Sequence, residues 1–196
     1  MSPATAGDAA PGSAARCRPA RRLLLIDEGW AQTLPLALAL AAAGHAVTVA
    51  TANGAGARCR RRGVDWRCAP ALADPALIGH LDRVIAAAAI ERVVPLTEAV
   101  MTRLWAARPT WEDRLYPRAA AWQRRLVGDK LAMVEHVAAH GVAVPRQRRL
   151  ADADDPASLA RALGLPLVIK GATGVGGARV HIASTRAEVG AALATA

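Results

Sequence analysis

The chain has 196 residues, which allows one or two domains, and its 53% hydrophobic fraction includes much alanine, five Trp, one Tyr and no Phe. The formal net charge of +9 suits nucleic acid, a membrane surface or anionic small molecules, but the one dense basic run, residues 58–62, has no interleaved aromatics to stack on single strands. Three cysteines without a C-x-x-C pair argue against a disulfide framework, and no apolar run reaches the roughly 18 residues of a spanning helix. We therefore expect a cytoplasmic protein with no nucleic-acid or membrane partner.

The first 20 residues are rich in Ala, Pro, Ser and Gly and have too little apolar bulk to order themselves. We therefore expect a disordered tail at 1–20. Arg21 and Arg22 precede an apolar run, as in a secretion signal, but Asp27 interrupts that run after four residues, short of the roughly 7–15 that a signal needs.

Residues 21–117 alternate between short apolar runs and helical patterns. Strands are predicted at 23–27, 46–51, 64–67 and 92–96, and helices at 33–43, at 53–62, from Asp74 onward and at 97–107, before an irregular, Trp-rich linker at 108–117. This alternation predicts a parallel sheet with helical crossovers, a small Rossmann-like unit.

Polar residues follow two of these predicted strands: Asp27, Glu28, Thr97 and Glu98. Ligands of parallel sheets bind beyond the carboxyl ends of the strands, so these four residues are candidates for a site. The alternative is that they are ordinary loop polar groups, with Thr97 as a helix cap.

A second unit follows the linker, with a helix that starts near Asp129 and turns Leu131, Val134 and Val137 inward. A further helix, opened by Asp155-Pro156, is expected to bury Leu159 and Leu163, and Thr185 with Glu188 predicts a capping box for the last helix. His136 and His140 lie one turn apart and are spaced to share a metal. No third ligand is evident, so histidines on a helix surface are the favoured interpretation.

Two apolar runs flank a glycine-rich stretch near the end of the chain. Residues 166–169 are predicted to form a buried strand and residues 179–183 a second strand, and between them lie Lys170 and then Gly171, Gly174, Gly176 and Gly177. Such a loop can point several backbone N–H groups at one anion, because no Cβ blocks close approach, and this pattern predicts a polyphosphate site. The alternatives are a ligand-free hairpin loop and a dinucleotide fingerprint, which requires a helix directly after the glycines.

Only two of the 25 basic residues are lysines, Lys130 and Lys170. Lys170 ends the strand before the glycines, and Lys130 opens a helix. Arginine does not replace lysine where a compact ammonium must fit among phosphate oxygens, so both positions are candidate phosphate ligands.

Taken together, these motifs resemble the ATP-grasp superfamily, most closely its biotin carboxylase and carbamoyl-phosphate synthetase branch. The matching segments are Gly128-Asp-Lys130, then Gly141-Val-Ala-Val-Pro145, then Ala162-Leu-Gly-Leu-Pro-Leu-Val-Ile-Lys170, the glycine loop, and Arg179-Val-His-Ile-Ala183. The resemblance implies that both lysines contact ATP phosphates and that the loop folds over the triphosphate. The implied ATP-binding set is Lys130, Lys170, Gly171, Thr173, Gly174, Gly176 and Gly177. The loop departs from the carboxylase pattern in having fewer glycines, with Thr173 and Val175 among them.

The resemblance also implies an α/β architecture: a Rossmann-like pre-ATP-grasp domain at 21–117 followed by the first lobe of an ATP-grasp domain at 118–196, with the second lobe absent. In the family the magnesium ligands lie in that second lobe, so a longer chain or a second polypeptide is expected to complete the site. The chain alone is expected neither to turn over ATP nor to bind it tightly.

The implied function is ATP- and Mg²⁺-dependent activation of a small carboxylate, or of bicarbonate, as an acyl phosphate for attack by an amine or similar nucleophile. Glu28 and Glu98 are the substrate candidates, because the N-terminal domain of the family often contributes to the substrate site. A nucleotide-binding module without turnover and a dinucleotide-dependent oxidoreductase are the alternative functions.

Overall fold

The computed structural model describes residues 19–52, 63–152, 154–171 and 180–195. The strands in these ranges are β1 Arg22–Asp27, β2 Ala46–Thr51, β3 Val64–Cys68, β4 Arg92–Pro95, β5 Leu167–Lys170 and β6 Val180–Ala183. The helices are α1 Thr33–Ala42, α2 Leu77–Ala87, α3 Glu98–Ala107, α4 Ala121–Gly128, α5 Lys130–Ala139, α6 Pro156–Leu163 and α7 Arg186–Leu193. Nearly all of the predicted tail, the predicted helix at 53–62 and most of the glycine loop lie outside the described residues.

The first four strands form one parallel sheet in the order β3-β2-β1-β4, which confirms the predicted sheet. Among the described residues, α1 connects β1 to β2 and α2 connects β3 to β4, as helical crossovers predict. The central strand β1 has neighbours on both edges and helices on both faces. Leu24 packs on one face and Leu25 on the other, and both are fully buried. Parallel strands covered on both faces read as continuous apolar runs, which is why this strand was visible in the sequence.

The segment 108–117 is irregular as predicted, but it packs into the first core. Trp111 and Leu115 are each 4% exposed, and Leu115 forms a parallel bridge with Val93 of β4. The indole N–H of Trp111 donates a 2.6 Å hydrogen bond to Asp82 Oδ1 on α2. The segment therefore extends the sheet layer where a free linker was expected.

The β5–β6 pair is an antiparallel hairpin that packs on α6 and α7. The buried cluster consists of Leu159, Leu167, Ile169, Ala183, Val189 and Ala192. The prediction that residues 166–169 form a buried strand holds for one face only: Leu167 and Ile169 are buried, but Val168 is 54% exposed and its register partner Ile182 is 72% exposed. Within the described ranges, helices cover only one face of this hairpin, so alternate residues remain exposed.

Two helices depart from expectation in the middle of the chain. Helix α4 was not predicted, and it ends where Asp129 begins to cap α5. The predicted inward residues of α5, Leu131, Val134 and Val137, are only half-buried. Leu131 and Val134 line a cavity, which explains their partial exposure. In the part of the chain that the structure describes, no helix has the length and apolar character needed to cross a membrane.

Candidate functional site

A cavity of about 870 Å³ lies between α5, the segment 145–150, α6 and the β5–β6 hairpin. Its apolar wall comes from Leu131 and Val134 of α5, Leu159 and Leu163 of α6, and Ile169 of β5. Its polar side is basic and is formed by Lys130, Arg146, Arg148, Arg149, Lys170 and His181. No carboxylate lines it among the described residues, so the cavity suits an anion with an apolar portion.

Both lysines of the chain line this cavity. Lys170 is the last residue of β5 and alternates with Val168 onto the exposed face of the hairpin. Lys130 is the first residue of α5. The two lysines are far apart in the sequence, but the end of β5 and the start of α5 place both of them at one cavity.

Asp129 holds the start of α5 and so positions Lys130. Its Oδ1 accepts hydrogen bonds from the backbone N–H groups of Leu131 (2.9 Å) and Ala132 (3.1 Å), and its Oδ2 accepts one from Arg149 (2.5 Å). The hydrogen bond from Arg149, followed by that from Ala132, lowers the pKa of Asp129 below its ordinary value. An ionised Asp129 at the positive end of the helix dipole also offsets the unfavourable placement of Lys130 in the first turn.

The three arginines of the cavity differ in how their charge is used. Arg149 pairs with Asp129 and Arg148 with Asp154, each at 2.5 Å. Arg146 donates to the backbone carbonyl of Leu163 at 3.4 Å. Within the described ranges, Arg146 and Lys170 form no ion pair, so they carry the uncompensated positive charge.

Gly171 is half-buried and lines the cavity directly after Lys170. Thr173, Gly174, Gly176 and Gly177 lie outside the described residues. The glycines are followed by β6, which pairs antiparallel with β5. A dinucleotide fingerprint requires a helix directly after the glycines, whereas the next described element of this chain is a strand.

The other candidate residues lie at the carboxyl ends of β1 and β4, where the chain changes direction across the sheet. Glu28 Oε2 accepts a 2.6 Å hydrogen bond from Thr97 Oγ1, which in turn accepts from the backbone N–H of Val100 and so caps α3. The buried Asp27 accepts from Thr33 Oγ1 at 2.6 Å. Thr97 and Asp27 thus have structural roles.

Glu28 is exposed and Glu98 is half-buried at the start of α3. Among the described residues that line the 870 Å³ cavity, neither Glu28 nor Glu98 is found. The two substrate candidates therefore lie at a second location, at the carboxyl ends of β1 and β4.

A smaller cavity of about 350 Å³ lies beside Trp105 and the segment 112–119. Its Arg124 pairs with Glu112 at 2.6 Å and lies over the Trp105 ring at 5.3 Å, and Arg118 donates twice to the carbonyl of Asp113. Because both arginines already have partners, they contribute to packing in this region and offer few free hydrogen-bond donors to a ligand.

Sequence reasoning missed His181 and the three arginines of the main cavity. His181 lies opposite Ile169 in the hairpin and is half-buried. The arginines follow Pro145 in a segment without regular structure, where no periodicity indicates side-chain direction. Their density directly after the predicted helix was the available signal. The described residues contain no group of three or more side chains able to hold a metal ion.

No protein-family model matches the sequence, and no curated protein matches it. Solved structures do resemble the chain. An L-amino acid ligase from Bacillus licheniformis superposes with a TM-score of 0.63 at 17% identity, covering 89% of this chain and 42% of the ligase. Biotin carboxylase from Campylobacter jejuni, in a beta-gamma-ATP complex, gives a TM-score of 0.60 at 16% identity over 89% of this chain and 41% of the carboxylase.

The biotin carboxylase domain of 2-oxoglutarate carboxylase from Hydrogenobacter thermophilus, in complex with MgADP, ADP and bicarbonate, gives 0.62 at 17% identity, over 89% of this chain and 40% of that domain. These proteins are ATP-grasp enzymes. The resemblance predicted from the motifs is thereby confirmed at the level of the fold: this chain has the α/β fold of ATP-grasp enzymes over about two fifths of their length.

Proposed function

We propose that the main cavity binds the polyphosphate of ATP, and that the chain is the ATP-binding part of a ligase that activates a carboxylate, or bicarbonate, as an acyl phosphate. The observation that carries this proposal is the placement of Lys130 and Lys170, the only lysines of the sequence, on one basic cavity of an ATP-grasp fold. In this proposal residues 21–117 are the Rossmann-like domain and residues 118–196 the first lobe.

The charges of the cavity suit a polyphosphate better than a single carboxylate. Lys170 and Arg146 are uncompensated within the described ranges, and Lys130 is held at the helix start by its neighbour Asp129. Charge-assisted hydrogen bonds from these groups are about twice as strong as neutral ones. In the proposal, N–H groups of residues 171–177 add further donors, and the apolar wall of Leu131, Val134 and Leu163 takes the less polar part of the nucleotide.

Magnesium fits the described cavity poorly on its own. Magnesium takes oxygen ligands, usually one or two carboxylates with phosphates and water. Asp129 and Asp154, the acids bonded to the lining arginines, are both engaged in ion pairs. The described cavity residues are therefore suited to neutralise and position phosphate, and they offer no free carboxylate to a metal ion.

We propose Glu28 and Glu98 as contacts for the nucleophile of the reaction. Both lie where β1 and β4 end, at the point where ligands of parallel sheets bind. A carboxylate there can accept a hydrogen bond from the N–H of a neutral amine and hold its nitrogen, which keeps its lone pair, in place.

The test is nucleotide binding by the purified chain, measured by calorimetry with ATP and with tripolyphosphate. Replacing Lys170 by Ala should weaken binding of both by about 1.5–3 kcal/mol, the value of a charge-assisted hydrogen bond. Lys130→Ala should act in the same direction.

Two controls sharpen this test. Lys170→Arg keeps the charge but not the compact ammonium, so it should also lose affinity if phosphate oxygens surround the Nζ. Arg186→Ala removes an exposed charge at the start of α7 and should leave binding unchanged. Equal losses in Lys170→Ala and Arg186→Ala would reduce the effect to overall charge and overturn the proposed site.

A nucleotide-binding module without turnover is the second candidate, favoured by the lack of a lining carboxylate among the described residues. Steady-state ATP hydrolysis and ligation, measured across candidate amino acids, distinguish the two. Because the chain alone is expected not to turn over ATP, the assay includes a polypeptide that supplies the second lobe. Magnesium-dependent turnover that disappears in Lys170→Ala then supports the ligase, whereas binding without turnover in that mixture supports the module.

A further inference from the structure

Three rings that the proposed function does not use cluster at the end of α5: Trp122 of α4, His136 of α5 and the C-cap residue His140. The His136 and His140 ring centroids are 4.4 Å apart, and the Trp122 and His136 centroids are 5.4 Å apart. Trp122 is 53% exposed, and His140 is exposed as well. The cluster lies outside the lining of the main cavity as the described residues define it.

One imidazole already has the hydrogen bond that orients a metal ligand. The Nδ1 of His140 lies 2.8 Å from the backbone carbonyl oxygen of His136. A carbonyl can only accept, so this contact places the proton on Nδ1 and leaves Nε2 with a free lone pair. Histidines that bind metals generally donate their other ring N–H to a carbonyl or carboxylate in this way, which fixes the tautomer and the ring orientation.

The position on the helix also favours a cation. His140 is the C-cap of α5 and lies beside the last carbonyl groups of the helix. These carbonyls form the negative end of the helix dipole, which stabilises positive charge within the last turn.

We propose that His136 and His140 form a two-histidine site for a borderline divalent transition metal of the Cu²⁺, Ni²⁺ or Zn²⁺ class. Imidazole pairs suit these ions, whereas Mg²⁺ and Ca²⁺ prefer oxygen. Because the described residues contain no group of three ligands, the ion keeps open coordination positions for water or an outside ligand. Such a site differs from a closed structural zinc site, which needs four protein ligands.

The experiment uses the full chain without an affinity tag, in a buffer that does not chelate. Cu²⁺ should quench the fluorescence of Trp122, because the ion would bind beside the ring that contacts Trp122, and Ni²⁺ should raise the melting temperature because it binds only the folded chain. EDTA should reverse both effects, and Mg²⁺ should produce neither. Acid should release the ion, since a protonated imidazole has no lone pair to donate.

Variants separate the site from other metal contacts. His136→Asn and His140→Asn should each raise the Cu²⁺ concentration for half-quenching by at least about tenfold, the lower end of the effect of losing even a ligand-orienting group. Trp122→Phe should lose the quenching but keep the Ni²⁺ shift in melting temperature. His45→Asn, a change at a histidine beside β2, should leave both responses unchanged.

Quenching that survives in both histidine variants would place the metal elsewhere and overturn the proposal. A lack of any Ni²⁺ or Cu²⁺ response in the folded wild-type chain would reduce the cluster to ring packing. Neither result depends on ATP binding, so this inference and the proposed function can fail independently.

Discussion

Two strands of this chain, β1 and β5, are equally apolar in sequence and very different in their surroundings. In β1 the consecutive residues Leu24 and Leu25 are both fully buried, whereas in β5 Leu167 is 6% exposed and its neighbour Val168 is 54% exposed. Helices cover both faces of the parallel sheet but only one described face of the hairpin. The parallel sheet is therefore a scaffold in which most side chains pack in the core. The hairpin region keeps an exposed face and a basic cavity that a ligand can reach.

The largest effects should come from the two cores. Leu81 of α2 and Leu159 of α6 are both almost completely buried, the first in the large core of the sheet and the second in the small core of the hairpin. Leu81→Ala should lower the free energy of unfolding by about 2–5 kcal/mol because it leaves a cavity in a densely packed region. Leu159→Ala should destabilise mainly the hairpin with α6 and α7.

Hydrogen exchange measures this difference segment by segment. In Leu159→Ala, amides of β5 and α7 should lose protection while those of β1 and β2 keep it. Uniform loss of protection along the whole chain would mean that the two regions unfold as one cooperative unit and would remove the distinction drawn between them.

The same substitution in two strands should give a smaller but more direct comparison. Val49 of β2 is fully buried, and Val168 of β5 is 54% exposed. Val→Thr keeps the shape and adds a hydroxyl, so Val49→Thr should cost about 1–3 kcal/mol for burying a polar group. Val168→Thr should stay within about 0.5 kcal/mol of the wild type. Urea unfolding followed by circular dichroism gives both values, and similar costs would mean that the outer face of the hairpin is covered in solution.

The parallel sheet could be predicted from the sequence because strands buried on both faces appear as uninterrupted apolar runs between helical patterns. Helix α4 could not, since it has only eight residues, including an exposed Trp122 and two arginines, and too few apolar positions to show a period. The half-exposed hairpin was also missed, because the cover on each face of a strand is decided by other elements of the chain.

The sequence also predicted only part of the candidate site. The rarity of lysine pointed to Lys130 and Lys170, and both line the cavity. Arg146 and His181 were missed because their side-chain directions depend on how the segment 145–150 and β6 pack. The roles of Asp27 and Thr97 could not be decided from the sequence, because their hydrogen bonds with Thr33, at the start of α1, and with Glu28, after β1, form only in the folded chain.

The smallest predicted effect concerns acid, and it arises in the first region. The Nε2 of His80 on α2 is buried, and among the described residues it has no hydrogen-bond partner. Desolvation, and then the charges of Arg83 and Arg67, lower the pKa of His80 below its ordinary value of 6.5. The unfolded chain therefore binds a proton at a pH where the folded chain does not, so the free energy of unfolding falls as the pH drops below 6.5 and levels off below the folded pKa.

Urea midpoints at pH 7.5 and pH 5.5 measure this effect above the range in which Asp129, Asp154 and Asp155 act. The pKa of each of these aspartates is lowered from 3.8 by hydrogen bonds, so their stabilisation is lost only as the pH falls through that lower range. His80→Gln cannot titrate and should show a smaller loss of stability between the two pH values than the wild type. If His80→Gln instead retains the full pH dependence, the acid sensitivity does not arise from the buried His80 ring.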